Sequence, residues 1–580
     1  MLHFEHPAQK NCTFAAGKKH FCIMITFFIA LAVLIVGYII YGKLVERIFG
    51  IDPERETCAT SKADGVDYIP LKPWRIFLIQ FLNIAGVGPI IGAIMGAQFG
   101  TASFLWIVLG SIFAGAVHDY LAGMISLRDD GASLPEIHGK YLGNGTKQFM
   151  RGFTVLLMIL VGVVFVNTPA TLIDQSFSKT LYNQLSKEKV TFDKNGVASL
   201  DGKEVCVTID TSTIETGELA KTLKSIPRRN VDDIQISSAG EKVLISVTTS
   251  PKTNWTLYIC IFVILAYYLT ATLLPIDKLI GRIYPVFGIL LIGMAVAILV
   301  AFFLYKPEIP EIWSGLQNRH PDAANNPIFP MMFISIACGA ISGFHATQSP
   351  LMARCMTNEK QGRPIFYGAM ITEGIVALIW AAAAAYFFGP DSVVSVAGKS
   401  GAAIVGVIAD TWFTPIIATI TILGVISAAV TSGDTALRSA RLIIADFMHF
   451  DQKPIKNRLL IAVPMFAVTA LILVYSISDA SGFQIIWRYF AWANQVLATV
   501  TLWAITVYLF RNKGGFIHLI TLFPALFMTM VTSCFLFVAQ PSAGGIGLSP
   551  VIAYSIGGCI TLASLIGFCI WANKYRKQLS

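Results

Sequence analysis

Thirteen apolar runs of about 20 residues dominate the sequence, near 21–42, 76–100, 103–127, 151–175, 255–274, 283–304, 328–350, 366–388, 403–430, 457–477, 484–510, 515–538 and 549–572. A helix of about 20 residues is what a ~30 Å hydrocarbon core demands. The chain therefore reads as an all-α polytopic membrane protein with about 13 transmembrane helices. Composition agrees: of 580 residues, 55% are hydrophobic and 13% charged, against about 25% charged in a soluble protein. An ordinary water-soluble enzyme is excluded. The first run follows Lys18 and Lys19 as a signal peptide would, but it is about twice the length of a normal h-region and lacks an A-x-A cleavage pattern. It is read as a helix.

The net charge of +9 belongs to the loops rather than to a nucleic-acid site, because no Lys/Arg stripe is interleaved with aromatics. The ten cysteines include no CxxC pair, and most lie in apolar runs where Cys acts as a small hydrophobe. Neither a metal site, a cofactor nor a disulfide framework is expected.

Counting Lys and Arg orients the spans. Loops 43–75, 128–151, 275–282, 351–365, 434–458, 511–514 and 571–580 alternate onto one side and hold 25 basic residues, whereas the short loops opposite hold 3. The first set is cytoplasmic by the positive-inside rule. Thirteen spans then place the N-terminal tail, with Lys10, Lys18 and Lys19, outside. On that outer side, 176–254 forms a polar insertion. Its pattern predicts a hairpin from KVTFDKNG and KEVCVTID, a helix at ETGELAKTLKSI, and a second hairpin at VDDIQISSAGEKVLISVTTS. This is a small α+β module, either a lid or sensor or a structural decoration.

Two runs are interrupted in ways that oppose a continuous helix. The second contains Asn83-Ile84-Ala85-Gly86-Val87-Gly88-Pro89, and the seventh contains Gly339-Ala340-Ile341-Ser342-Gly343-Phe344-His345-Ala346-Thr347-Gln348-Ser349-Pro350. Non-helical backbone at membrane depth is tolerated only inside protein or around a water-filled cavity. The two runs lie five spans apart, so they cross in opposite directions. That spacing predicts a 5+5 inverted-repeat core, the second repeat occupying 328–510, with the first split into 76–175 and 255–304 around the insertion. Residues 1–75 hold the tail, the first helix and a cytoplasmic loop, and 511–580 two peripheral helices.

Matched discontinuous helices point to a transport site near the midplane. Freed N–H groups near Asn83, Ala85, Gly86 and Gly88 suit an anionic group, and freed carbonyls suit a cation. Ser342, Gly343, Thr347 and Gln348 add neutral contacts, and His345 is the expected titrating group. The bland alternatives are glycines serving helix packing and a histidine satisfied by a neighbouring carbonyl.

Other polar residues inside spans are candidates for coupling or gating. His118 and Asp119 read as a proton relay or as a structural pair, and Glu373 as a coupling carboxylate or an interfacial residue. Asn167, Thr168 and Pro169 break the fourth span, and Asn494 and Gln495 suggest hydrogen bonds between helices. Thr431 and Ser432 offer hydroxyls to a cation site with the carbonyls near Ala85 and Gly88, or bond back to their own helix. Asp434, Arg438 and Arg441 share a helical face, as a cytoplasmic gate or a surface ion pair.

At these residues the sequence resembles the carbon starvation protein A (CstA) family. The matching stretches are DYIPLKPWRIFLIQFLNIAGVGPIIGAIMGAQFG, SLRDDGASLPEI, FPMMFISIACGAISGFHATQSPLMARCMTNE, SGDTALRSARLIIADF and WANQVLATVTLW. The resemblance implies a secondary transporter of the amino acid/polyamine/cation (APC, LeuT-like) type in the inner membrane. Such a protein takes up peptides or pyruvate when carbon is scarce, at least partly with protons. The resemblance carries the glycine-rich blocks, His345 and the Asp434, Arg438 and Arg441 face, but not the Thr431-Ser432 pair, so sodium coupling stays an alternative. Partners are then a small-molecule substrate, a coupling ion and the lipid bilayer. The rival readings are a nutrient sensor without net flux and a sodium-coupled transporter of another carboxylate or amino acid.

Overall fold

The computed structural model describes residues 24–177, 252–275, 280–389, 400–478, 482–541 and 544–579, with parts of 178–251 and 390–399. Among these, 11 helices are long and apolar enough to cross a membrane, and the pair Pro73–Ile84 and Gly88–Phe99, bent by 52°, makes up to 12. The expected span at 328–350 is discontinuous. One helical piece, Ile328–Met332 with non-helical backbone at Phe329, continues as Phe333–Ser335, and a second is Gly343–Ala353, with non-helical backbone between.

Two expectations are corrected. The run at 403–430 is not one helix. Gly401–Trp412 ends before an extended Phe413 and Thr414, and Pro415 then opens Pro415–Met448. A residue before proline is pushed out of the helical region, and proline suits a first helical position because it has no N–H to leave unpaired. The new helix continues through residues assigned to a cytoplasmic loop. Pro169, conversely, does not break the fourth span: Asn144–Phe177 runs through it. A proline removes the hydrogen bond to the carbonyl four residues back, here that of Phe165. The Tyr268 hydroxyl donates to that oxygen at 2.7 Å instead.

The centre of the molecule is held by Ala102–Arg128 and Glu359–Phe387, whose apolar windows are 83% buried, while Pro550–Gln578 is only 17% buried and presents its apolar surface outward. The start of the first helix lies beside the 305–327 segment, where Glu311 accepts from the Ile25 and Thr26 amides at 2.9 and 2.7 Å. At the opposite end, Arg128 and the Asp52 amide meet the buried Glu359 carboxylate.

The insertion contains one sheet in the order β1-β2-β3-β6-β5, with β4 on an outer end of β3. Its strands are β1 (Thr191–Phe192), β2 (Ala198–Leu200), β3 (Lys203–Ile209), β4 (Ser212–Thr213), β5 (Val231–Ala239) and β6 (Lys242–Thr249). The second hairpin is β5 against β6. The first differs from expectation: β2 intervenes, pairing with both β1 and β3. A parallel pairing of β3 with β6 joins both halves over a core including Val205, Val207, Ile245 and Val247. Most of the helix expected at 215–226 lies outside the described residues. Asp174, near the end of Asn144–Phe177, takes Arg229 at 3.2 Å and Asn254 at 2.8 Å, which ties the insertion to the membrane domain.

Candidate functional site: a buried charge cluster between broken helices

Local sequence sets both breaks. Helix Pro73–Ile84 stops before Ala85, and helical backbone resumes at Gly88 with Pro89 in its first turn. In the seventh segment, Ser342 precedes Gly343–Ala353 without capping it. Asn494, on the helix Gly482–Lys513, does so instead. Its Oδ1 accepts from the Phe344 amide at 2.7 Å and from Ser342 Oγ at 3.1 Å, satisfying an otherwise orphaned donor. The two breaks abut, since a side chain at Gly88 would collide with Cys338. Gly343 is equally constrained: a Cβ there would lie 2.5 Å from Asn494 O and Ala498 N.

Four ionisable side chains meet beside the second break, all fully buried: His118, Asp119, His345 and Glu373. Asp119 Oδ1 is 2.8 Å from His118 Nδ1, and Asp119 Oδ2 is 2.9 Å from His345 Nδ1. The other face of the His345 ring puts Nε2 3.2 Å from Glu373 Oε2. This last contact lacks hydrogen-bond alignment, and both Glu373 oxygens are without a hydrogen bond among the described residues. His345 is thus held by carboxylates rather than a carbonyl, and Glu373 is interior rather than interfacial.

Asp434 lies on Pro415–Met448 and does not pair with the arginines that share its face. Its oxygens accept from Tyr284 and Tyr267, each at 2.9 Å. Tyr284 also contacts Asn83 Oδ1 at 3.2 Å and the Thr431 carbonyl at 2.9 Å. Thr431 and Ser432 donate to the Leu82 carbonyl at 2.9 and 3.1 Å, one turn before the break rather than at Ala85 or Gly88. Thr431 also bonds back to Ser427 and Ala428, so both readings of these hydroxyls hold in part. Thr347 bonds to Phe344 O at 2.6 Å, and Gln348 to Thr347 at 2.9 Å. Ser439 donates to Thr347 O at 3.0 Å, linking this half-helix to Pro415–Met448.

Arg438 and Arg441 converge instead on one buried carboxylate, Asp67, at 3.5 and 3.4 Å. Burial pushes the Asp67 carboxyl upward, but Arg441, Arg438, Arg354 and Arg458 together outweigh it and hold it below the usual carboxylate range. Arg438 also donates to the Ala271 and Leu274 carbonyls. These are buried groups, not a surface pair.

Sequence reasoning missed Asp67, which stood in a polar loop, and Tyr267 and Tyr284, which passed as ordinary members of apolar runs. It also passed over Gln80, fully buried on the helix before the first break. Both Gln80 amide atoms and Asn83 Nδ2 lack a hydrogen-bond partner among the described residues. A glutamine three residues before Asn83 in an apolar run was the available signal.

Ionisable groups enclosed among discontinuous membrane helices are a pattern that membrane transport proteins share. The family described as carbon starvation protein CstA matches residues 22–411 and 397–534, and the chain belongs to that family. Its 11 candidate membrane spans among the described residues make it a multi-pass membrane protein, and named relatives are transporters. An uncharacterized membrane protein of Haemophilus influenzae is 42% identical over 372 residues, covering 62% of this chain and 89% of that one. The peptide transporter CstA of Bacillus subtilis is 27% identical over 523 residues, covering 82% and 83%. The pyruvate/proton symporter BtsT of Escherichia coli is 27% identical over 365 residues, covering 60% of this chain but 47% of that protein. Among solved structures, a mutant manganese transporter of Eremococcus coleocola superposes with a TM-score of 0.47 at 12% identity, covering 89% of this chain and 99% of that one.

Proposed function

We propose that this chain is a secondary active transporter that imports pyruvate or small peptides together with protons, by alternating access through two inverted five-helix repeats. The observation that carries the reading is the His118, Asp119, His345 and Glu373 cluster, fully buried against a broken helix. Counted with both carboxylates ionised and one imidazole protonated, the cluster carries a net charge of −1. One further proton leaves it neutral, in surroundings where an uncompensated charge costs several kcal/mol. Glu373, close to His345 yet unaligned, is the proposed acceptor of that proton.

Pyruvate and a peptide share a carboxylate, and the names of the relatives supply both substrate classes. The half-helix starts at Gly88 and Gly343 offer the positive dipole ends that suit such a group. Asn83, Ala85, Gly86, Ser342, Thr347 and Gln348 line the proposed site, with Gln80 added by its unpartnered amide. Buried amides without partners are rare in native proteins and are explained here by an incoming polar ligand. The Asp67, Arg438 and Arg441 contact is the proposed cytoplasmic gate, and 176–254 is an extracytoplasmic decoration of the first repeat. Abutting breaks five spans apart support the repeat reading.

The test is uptake of labelled pyruvate and of a labelled dipeptide into liposomes holding the full chain, under an imposed pH gradient or, separately, a sodium gradient. Accumulation of either substrate driven by an inward proton gradient is expected. Accumulation that follows only sodium, a variant supported by the Thr431 and Ser432 hydroxyls on Leu82 O, overturns the proton assignment. Failure to accumulate either substrate under both gradients overturns the transporter reading.

A further inference from the structure

A groove of about 660 Å³, lined by none of the four cluster residues, lies between the helix Leu134–Leu142 and the ends of Gly482–Lys513 and Pro550–Gln578. One end is polar and basic, lined by Lys140, Thr146 and Arg511, and among the described residues no carboxylate lines it. The rest is apolar, formed by Val500, Trp503, Val507, Phe568 and Trp571. Lys140, Arg511 and Trp571 come from three segments that the basic-residue count assigns to the cytoplasmic side.

Arg511 is only partly committed. Its guanidinium stands 5.3 Å from the Trp571 ring centre, 5.5 Å from that of Tyr575 and 6.0 Å from that of Tyr141. It donates once, to the Lys140 carbonyl at 3.4 Å, and its Nε is buried with no hydrogen-bond partner among the described residues. Lys140 is shared with Asp129 at 2.5 Å, which lies outside the groove. An aromatic cage that holds a guanidinium in place while its donors stay unfilled is prepared for an anionic acceptor, above all a phosphate. The apolar length continues from that point along the outward-facing helix Pro550–Gln578. Charge at the cytoplasmic interface and apolar surface at hydrocarbon depth are the two halves of one amphiphile.

We propose that this groove binds an anionic phospholipid of the cytoplasmic leaflet, its headgroup phosphate on Arg511 and Lys140 and one acyl chain along Trp503, Val507 and Phe568. The test is native mass spectrometry of the full chain released from mixed phosphatidylglycerol and phosphatidylcholine micelles. Wild type is expected to retain phosphatidylglycerol preferentially. Arg511→Gln is expected to reduce that retention about fivefold, the effect of one basic charge near a membrane surface, and Arg511→Lys to restore part of it. Ser564→Trp keeps every charge but fills the groove, and is expected to abolish retention with the melting temperature unchanged. It therefore decides the matter even where Arg511→Gln does not fold. Equal retention of both lipids by wild type, or unchanged preference in Ser564→Trp, overturns the proposal.

Discussion

His345 Nδ1 and Asp119 Oδ2 lie 2.9 Å apart across 226 residues of sequence, in a place where neither side chain touches water. Breaking a buried ion pair from one side leaves the other charge uncompensated, at a cost of about 3–5 kcal/mol. His345→Ala strands two carboxylates at once and is expected to lower the thermal unfolding temperature as well as abolish uptake. Unfolding scans in detergent check the first effect.

Glu373→Gln separates coupling from stability, because it keeps the volume and removes the proposed proton acceptor. Accumulation driven by a pH gradient is expected to fall to background, while exchange of labelled for unlabelled substrate without a gradient persists. Loss of both activities in a folded variant would place Glu373 in substrate binding instead.

Gln80→Leu is expected to weaken transport without weakening the fold. Replacing a buried, unpartnered amide by an apolar group of similar shape is neutral or stabilising, so the unfolding temperature should hold or rise while the KM for substrate increases. An unchanged KM would remove Gln80 from the site.

Gly343→Ala forces a methyl group to within 2.5 Å of the backbone of Asn494 and Ala498. Overpacking of this kind costs about 1–3 kcal/mol. Gly558→Ala, where nothing lies within 4 Å, is the control and should leave the unfolding temperature unchanged.

Two titrations outside the spans act in different pH windows. Burial, and secondarily His118, push His138 down to about 3. Below about pH 6.5 the unfolded chain therefore binds a proton that the folded chain refuses, and stability falls as pH drops from there toward 3. His138→Gln should flatten that decline. Asp67, held below its ordinary value by its arginines, contributes stability that is fully present above about pH 3.9 and is lost only as pH falls through the depressed value. Asp67→Asn should accordingly destabilise the protein at neutral pH, with the difference narrowing below that point.

What could be read from the sequence was whatever depends on neighbours along the chain. Apolar run length placed most helices, Gly-Pro clusters placed both breaks, and alternation placed the β5-β6 hairpin. The Phe413-Thr414-Pro415 boundary was visible as a Thr-Pro step, but the apolar character on both sides masked it. The remainder depends on contacts across the fold. Pro169 looked like a helix breaker because the Tyr268 hydroxyl that serves Phe165 O lies 103 residues away. Asp434 and its arginines looked like mutual partners because they share a helical face. Their actual partners, Tyr267 and Tyr284 on one side and Asp67 on the other, belong to other segments. Of the charge cluster, the four members were singled out but their convergence was not.

The helix Pro415–Met448 touches both interrupted segments. At 1.5 Å per residue its 34 residues extend about 51 Å. Along that length it grips the Leu82 carbonyl through Thr431 and Ser432, the half-helix bearing His345 through Ser439, and the loop bearing Asp67 through Arg438 and Arg441. A stiff lever fastened at three points cannot move at one without loading the others. For the proposed transporter, linkage imposes reciprocity: whatever free energy opening of the proposed gate at Asp67 takes from proton binding at the cluster, proton binding must take from the opening, in equal measure.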